Sequence, residues 1–96
     1  MYKLHKQARA KQDLKKIWLY TYKKWGEAQA DQYFDELDNG LKTLCHNPNI
    51  GKNRDAIRAG YCSFQINRHA VFYKVTASTI QIIRVLHVRR DPERHL

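Results

Sequence analysis

Apolar residues recur at the spacing of an amphipathic helix in two consecutive segments of the first half of the chain. The first runs from about Ala8 to Trp25, and its stripe comprises Leu14, Ile17, Trp18, Thr21, Tyr22 and Trp25. The second runs from about Glu27 to Leu44, and its stripe comprises Ala30, Tyr33, Phe34, Leu37, Leu41 and Leu44. Gly26 separates them and can adopt the left-handed conformation that ends helices. We therefore predict two helices that pack as an antiparallel hairpin.

The dipeptide Asn39-Gly40 lies inside the second segment and would be a strong hairpin-turn signal elsewhere. The helical spacing of apolar residues nevertheless continues through it, from Leu37 to Leu41. We therefore predict one unbroken helix that carries a glycine penalty of roughly 1 kcal/mol.

In the second half of the chain the apolar period changes to two, which is typical of strands. We predict strands at Tyr61–Ile66, His69–Thr76 and Ile80–Val88, after a long loop from Asn47 to Gly60. In the first strand Cys62, Phe64 and Ile66 share one side. Short turns at Asn67-Arg68 and Ala77-Ser78-Thr79 make these three strands an antiparallel meander, and Tyr2–His5 can form a further strand.

Together these elements predict an α+β fold of order β-α-α-β-β-β. An antiparallel sheet is covered on one face by the N-terminal helical hairpin, because neither apolar surface can remain exposed to water. The length of 96 residues predicts a single domain over residues 1–96. The charged tail after Val88 is expected to be either a frayed terminus or a cationic segment that becomes ordered on a partner.

Positive charge is unevenly distributed along the chain, whose net charge is +9. Residues 1–26 carry +7, residues 27–45 carry −4 and residues 46–96 carry +6. We expect the lysine-rich flank of the first helix to run near the acidic flank of the second, where exposed ion pairs add about 0–1 kcal/mol each. The remaining positive surface indicates an acidic partner, either a nucleic acid or an acidic protein, and charge alone does not choose between them.

Several classes of protein and site are disfavoured by composition and spacing. The longest apolar runs are too short to span a membrane, and the first residues lack the apolar stretch of a secretory signal. Cys45 and Cys62 are too few for a disulfide framework, so we expect a cytoplasmic protein. No histidine stands at metal-ligand spacing and the glycines form no phosphate-binding loop, so we expect neither a metal nor a cofactor.

Basic side chains near the last predicted strand leave an enzymatic alternative open. Cleavage of RNA needs proton-transfer groups and cations around the phosphate. The residues that could supply them are Arg68, Arg84, His87, Arg89 and Arg90. The plainer interpretation is that Arg68 belongs to a turn and that Arg84 and His87 are ordinary strand residues on opposite faces. The lysine-rich helix lacks the interleaved aromatic and basic residues of RNA-binding strands, so we expect nucleic acid to be only an indirect partner.

A set of ordered motifs covers nearly the whole chain. It comprises Ala10-x-x-Asp13-Leu14-x-x-Ile17-x-x-Tyr20, Trp25-Gly26, Ala30-x-x-Tyr33-x-x-x-Leu37, Leu44-x-x-x-Pro48-x-x-Gly51, Ile57-Arg58-x-Gly60-Tyr61-x-x-Phe64, His69-x-Val71-Phe72-Tyr73, Ile80-x-Ile82-x-Arg84-Val85-Leu86-His87 and Asp91. In this order and spacing, the set resembles the ParE branch of the RelE/ParE toxin-antitoxin superfamily, the plasmid stabilisation type.

This resemblance implies a RelE-like fold and a toxin without catalytic residues that inhibits DNA gyrase by direct binding and stalls it on cut DNA. It also implies neutralisation by a ParD-like acidic antitoxin. We expect the target to contact the last strand and the tail, through Arg84, His87, Arg89 and Arg90. We expect the antitoxin to contact Trp18, Tyr22, Trp25, Arg58 and Arg68.

Two alternatives remain open at this point. RelE-like relatives cut mRNA on the ribosome and commonly carry an arginine on the strand after the loop glycine, whereas Tyr61–Ile66 contains neither Arg nor Lys. ParE relatives often have Arg where this chain has Cys62, which also suggests an inert remnant that binds only antitoxin.

Overall fold

A computed structural model describes residues 1–96 as a helical hairpin packed on one face of a five-stranded sheet. In chain order the elements are β1 (Lys3–Lys6), α1 (Ala8–Trp25), α2 (Glu27–His46), a 3₁₀ turn (Pro48–Ile50), β2 (Lys52–Asn53), β3 (Tyr61–Ile66), β4 (His69–Thr76), β5 (Thr79–His87) and α3 (Pro92–His95). The α+β class and the order of the predicted elements are confirmed. The short β2 and α3 lie in segments for which we had predicted no regular structure.

The helical hairpin forms as predicted, with a junction at Gly26, whose φ is 95°. We had expected the lysines of α1 to pair with the acids of α2, and this is wrong. The only ion pairs in the protein join Lys42 to Asp38 within α2 and Arg84 to Asp13. A hydrogen bond of 3.1 Å from the Trp18 indole to Asp31 links the two helices instead, beside their apolar contact.

The sheet has the strand order β1-β5-β4-β3-β2. The β3-β4-β5 meander is antiparallel, as predicted. The expectation of an entirely antiparallel sheet needs correction, because β1 pairs with β5 in parallel, from Lys3 opposite Thr79 to Lys6 opposite Ile82. A parallel pair requires a long crossover connection, and the helical hairpin begins that connection.

The loop before β3 is closed by a side-chain cap. Asp55 accepts hydrogen bonds from the main-chain N–H of Gly60 at 2.7 Å and from the Asn53 amide at 2.9 Å. These donors, first the Gly60 N–H, lower the pKa of the Asp55 carboxyl. Gly60 has a φ of 83°, which other residues adopt at a cost.

The apolar core lies between the hairpin and the sheet. Its fully buried members include Leu37, Leu41 and Leu44 from α2 and Tyr73, Ile80 and Ile82 from the sheet. Tyr73 is buried without an unsatisfied hydroxyl, because that group donates to the Pro48 carbonyl at 2.7 Å and accepts from the Gly51 N–H at 3.2 Å. The 3₁₀ turn is thereby fixed against the core. No helix is both long enough and apolar enough to cross a membrane.

Burial of the stripe predicted for α1 decreases along the helix. Leu14 is buried, Ile17, Trp18 and Thr21 are half-buried, and Tyr22 and Trp25 are 46% and 67% exposed. Helical spacing correctly identifies one side of α1 but not how far the sheet extends beneath it. The last turns of α1 project beyond the packed region, so their aromatic rings remain accessible.

Gly40 allows β3 to approach α2 closely. A Cβ atom at this position would lie 2.3 Å from Ile66 Cδ1 and 2.6 Å from Ile66 Cγ1. The glycine predicted to weaken the helix is therefore the residue that makes room for the strand.

We expect Gly40→Ala to destabilise the protein by about 1–2 kcal/mol, because overpacking against Ile66 outweighs the gain in helix propensity. Chemical denaturation measures this difference, with the neighbouring exposed Asn39→Ala as the matched control, which gains propensity without a clash. In an Ile66→Ala background Gly40→Ala should become stabilising. An equal gain from Gly40→Ala and Asn39→Ala in the native background would contradict the account.

Candidate binding cleft

A cleft of about 710 Å³ lies between the last turns of α1 and the end of β5. One wall is α1, with Lys16, Ile17 and Tyr20, and the opposite wall is the end of β5, with Val85 and His87. Trp25 and Tyr33 line it from the hairpin junction and α2, and Arg68 and Arg90 from the β3–β4 turn and the segment after β5. This volume is in the range of ordinary ligand pockets.

At one end of the cleft a buried ion pair joins α1 to β5. Arg84 Nε donates to Asp13 Oδ2 at 2.7 Å and Arg84 Nη2 donates to Asp13 Oδ1 at 2.9 Å. The side chains are only 10% and 11% exposed. The hydrogen bond to Asp13, opposed by burial, raises the pKa of Arg84 above its ordinary value. Such a two-point contact is geometrically demanding and fixes both side chains.

Asp13 also completes the edge of the sheet. Its carboxylate accepts from the main-chain N–H of Val85 at 3.0 Å. Strand β1 cannot provide this acceptor, because its pairing with β5 ends at Ile82. A β-bulge precedes the site, since Phe72 pairs with Arg84 while Tyr73 pairs with Ile82 and leaves Ile83 extra. The bulge displaces the alternation of β5 and turns Arg84 towards Asp13.

The tail is ordered against the sheet by arginine side chains. Arg84 Nη1 donates to the His95 carbonyl at 2.7 Å, and Arg9 donates to the same carbonyl at 3.3 Å. Arg58 donates to the main-chain oxygen of Leu96 at 3.0 Å. Asp91 caps the short helix by accepting from the Glu93 N–H at 3.0 Å. The structure therefore replaces both expectations for the tail, a frayed terminus or an adaptable segment, with a docked one.

Three side chains that can exchange protons meet inside the cleft. The Tyr33 hydroxyl lies 2.6 Å from His69 Nδ1, and the His69 and His87 rings are 5.4 Å apart in an edge-to-face arrangement. Burial is the main cause that lowers the pKa of His69 to about 4, and the neighbouring His87 adds to it. His69 is therefore neutral near pH 7. His87 Nδ1 accepts from the Arg89 N–H at 3.1 Å.

The remaining cations of the cleft have no acidic partner. Lys16, Lys24, Arg68 and Arg90 line the cleft, and none of them forms an ion pair. The only acid in the lining is Asp13, which Arg84 already neutralises. The cleft thus combines an unopposed positive rim with exposed aromatic rings.

Of the residues expected to contact a target, Arg84, His87 and Arg90 line the cleft and Arg89 is exposed beside it. Arg84 is 8% exposed and committed to Asp13 and the tail. Its guanidinium is not free to contact another molecule in this arrangement, and its role here is to position α1, β5 and the tail.

The residues expected to contact an antitoxin fall into three places. Trp25 and Arg68 line the cleft. Trp18 and Tyr22 stack on each other outside it, with ring centroids 5.2 Å apart and planes 7° from parallel. Arg58 holds the tail. The structure thus brings Trp25 and Arg68 together with His87 and Arg90, although we had assigned the two pairs to different partners.

Sequence reasoning did not single out Asp13, Tyr33, His69 or Lys24 as site residues. Asp13, Tyr33 and His69 did belong to the ordered motifs, but the motifs alone did not indicate what these side chains contact. Asp13 is the one acid among eight basic residues in the first 26, which in retrospect marks it as a partner for a distant arginine.

The free cysteines show no sign of reactivity. Cys45 is buried and Cys62 partly buried beside the core. Burial is the main cause that raises the pKa of both thiols, and Asp55 adds to it at Cys62. Both are therefore protonated near pH 7, which agrees with small core-filling side chains. No group of three or more His, Cys, Asp or Glu side chains could hold a metal ion.

Comparison with known proteins gives a consistent family. Residues 2–92 match the family model described as ParE toxin of type II toxin-antitoxin system, parDE. Toxin ParE1 of Mycobacterium tuberculosis is 43% identical over 88 residues, which is 91% of this chain and 90% of that protein. Toxin ParE1 of Caulobacter vibrioides is 39% identical over 88 residues, which is 92% of this chain and 91% of that protein.

Solved structures share the fold. A structure described as the chromosomal ParDE TA system from P. aeruginosa superposes with a TM-score of 0.81 at 22% identity, over 93% of this chain and 98% of that one. A chain of the YoeB-YefM complex from Staphylococcus aureus superposes with a TM-score of 0.61 at 21% identity, over 91% and 97% of the two chains. The RelE-like fold expected from the sequence is confirmed.

We expect Asp13→Ala to lower the free energy of unfolding by about 3 kcal/mol, because it leaves the Arg84 guanidinium buried without its counter-charge. Asp38→Ala is the matched control: it breaks the exposed pair with Lys42 and should cost less than about 1 kcal/mol. Denaturant titration of both variants measures the difference. Equal losses would show that the Asp13–Arg84 pair contributes no more than a surface pair.

Stability should also depend on His69 in mildly acidic solution. The pKa of His69 is lowered in the fold from 6.5 to about 4, so within this window the unfolded chain binds a proton that the folded chain does not. The free energy of unfolding should therefore decrease by roughly 2 kcal/mol as the pH falls from 6.5 to about 4. This is less than the full pKa difference would give, because the ring is partly exposed to solvent. His69→Asn should flatten this dependence, whereas the exposed His5→Asn should preserve it. Parallel pH profiles of the native protein and His69→Asn would contradict the assignment.

Proposed function

The chain belongs to the ParE toxin family of type II toxin-antitoxin systems, and from this premise we propose that it inhibits DNA gyrase by direct binding. We further propose that a ParD-like acidic antitoxin neutralises it. The proposal places the protein in the cytoplasm, where a topoisomerase acts on DNA.

The observation that carries the proposal is the convergence of predicted target and antitoxin residues on one cleft. Trp25 and Arg68 lie in the same lining as His87 and Arg90. An acidic antitoxin segment that occupies this cleft would cover target-facing side chains directly. Neutralisation then follows from competition for one surface and needs no rearrangement of the toxin. An interface centred on an exposed tryptophan and arginines also has the composition of an energetic hot spot.

The state of the ionisable groups supports binding rather than catalysis. His69 is held neutral and hydrogen-bonded to Tyr33, and Asp13 is committed to Arg84. A phosphodiester-cleaving site needs a base poised near neutral pH and a free acid. RNA cleavage is the second candidate function, because His87 and Arg90 line the cleft beside Tyr33.

In a gyrase supercoiling assay the purified protein should inhibit the enzyme without degrading RNA. Arg90→Ala and Trp25→Ala should each raise the concentration needed for half inhibition about tenfold, because each removes one hot-spot contact of about 1.4 kcal/mol. Lys42→Ala, which removes an exposed cation outside the cleft, is the control and should inhibit as the native protein does.

Adding the cognate acidic antitoxin should restore supercoiling. Intact supercoiling at doses that arrest growth would contradict gyrase as the target. RNA cleavage by the purified protein or on ribosomes, abolished by His87→Ala in a folded variant, would replace the proposal with the endonuclease. Normal growth during expression without antitoxin would indicate an inert remnant.

A further inference from the structure

We propose that the cleft binds single-stranded DNA, so that the toxin contacts the nucleic acid of the gyrase–DNA complex as well as the protein. The inference rests on the proposed function and names the ligand of its cleft. It departs from the expectation that nucleic acid is only an indirect partner.

The first support is the arrangement of charge. Four cations line the cleft without acidic partners, two on α1 and two on the opposite rim: Lys16, Lys24, Arg68 and Arg90. Positive charge on both sides of a groove suits a phosphate backbone that runs between them. The only carboxylate in the lining is already neutralised by Arg84, so nothing in the lining repels a polyanion.

The second support is the position of the aromatic rings. Trp25 and Tyr20 line the same cleft and are 67% and 63% exposed, so both rings are accessible to a ligand. Lys24 Nζ lies 5.4 Å from the centroid of the Tyr20 ring and 3.1 Å from its hydroxyl. A cation beside an aromatic face is the combination that holds a phosphate and its base together in single-strand binding grooves.

The third support is what the cleft lacks for other occupants. Strand addition by an extended peptide needs an open strand edge, but the edge of β5 beyond Ile82 is closed by Asp13 at the Val85 N–H, so an antitoxin segment in this cleft would bind through its side chains. Single-strand binding grooves of OB folds hold about 4–16 nucleotides along a path of cations and aromatic rings, which is the combination found in this cleft.

The test measures binding of a fluorescein-labelled oligothymidine of about twelve nucleotides by fluorescence anisotropy, without gyrase. The native protein should bind it with a logarithmic salt dependence of slope about −3, as expected for four phosphate contacts on a single strand. Trp25→Ala should weaken binding about tenfold, and quenching of tryptophan fluorescence should be reduced in that variant.

The double variant Arg68→Ala/Arg90→Ala should lower the magnitude of the salt slope by about 1.4, because two phosphate contacts are lost. Lys42→Ala and Lys74→Ala remove exposed cations outside the cleft and should each change the slope by less. Leu19→Ala, an exposed apolar residue of α1 outside the lining, is the control for Trp25→Ala and should bind normally.

Three outcomes would overturn the inference. They are no binding, equal binding of an oligoglutamate of matched charge, and tenfold tighter binding of oligouridine than of oligothymidine. If the native protein still inhibits supercoiling in any of these cases, the proposed function stands and the cleft contacts gyrase itself. If supercoiling is unaffected, gyrase inhibition fails whatever the oligonucleotide does.

Discussion

The arrangement of α1, β5 and the tail around the cleft depends on the contact between Asp13 and Arg84. This contact joins the helical hairpin to the last strand. Asp13 also accepts from the Val85 N–H at a sheet edge that β1 does not reach, and Arg84 also donates to the His95 carbonyl of the tail. A carboxylate and a guanidinium removed from water attract strongly only when their geometry is good, and here two of the three guanidinium nitrogens, Nε and Nη2, each donate to a carboxylate oxygen. Because the charges of Asp13 and Arg84 cancel, the other cations of the cleft dominate its electrostatic potential.

That field has consequences for recognition. Lys16, Lys24, Arg68 and Arg90 stand on both sides of one groove, so an acidic molecule experiences attraction from two walls as it enters. Such steering accelerates association and weakens as the salt concentration rises. An antitoxin segment and a DNA strand share the one property that this groove selects, which is negative charge. Discrimination between these two proposed occupants would depend on Trp25, Tyr20 and the shape of the walls.

The elements were predictable from the sequence because their signals are local. The helical spacing through Gly40 and the alternation of Tyr61–Ile66 each lie within one segment, and Gly26 marks the hairpin junction directly. The cleft was not predictable, because its side chains are distant in sequence and no periodicity relates Trp25 to Arg90. The bulge at Ile83 carries no distinctive sequence signal, yet it decides that Arg84 faces Asp13 and not a target. Tyr22 and Trp25 continue a stripe whose burial depends on where the sheet stops.

The parallel pairing of β1 with β5 affects how the chain acquires its shape. Lys3 must find Thr79, so the first strand to leave the ribosome waits for the last one before the sheet can close. Closing such a long loop loses chain entropy before the stabilising contacts between β1 and β5 have formed. Topologies of this kind therefore fold slowly. A nascent chain that ends before β5 lacks both the sheet edge and one wall of the groove. Synthesis itself therefore delays the appearance of a harmful product until β5 has been translated.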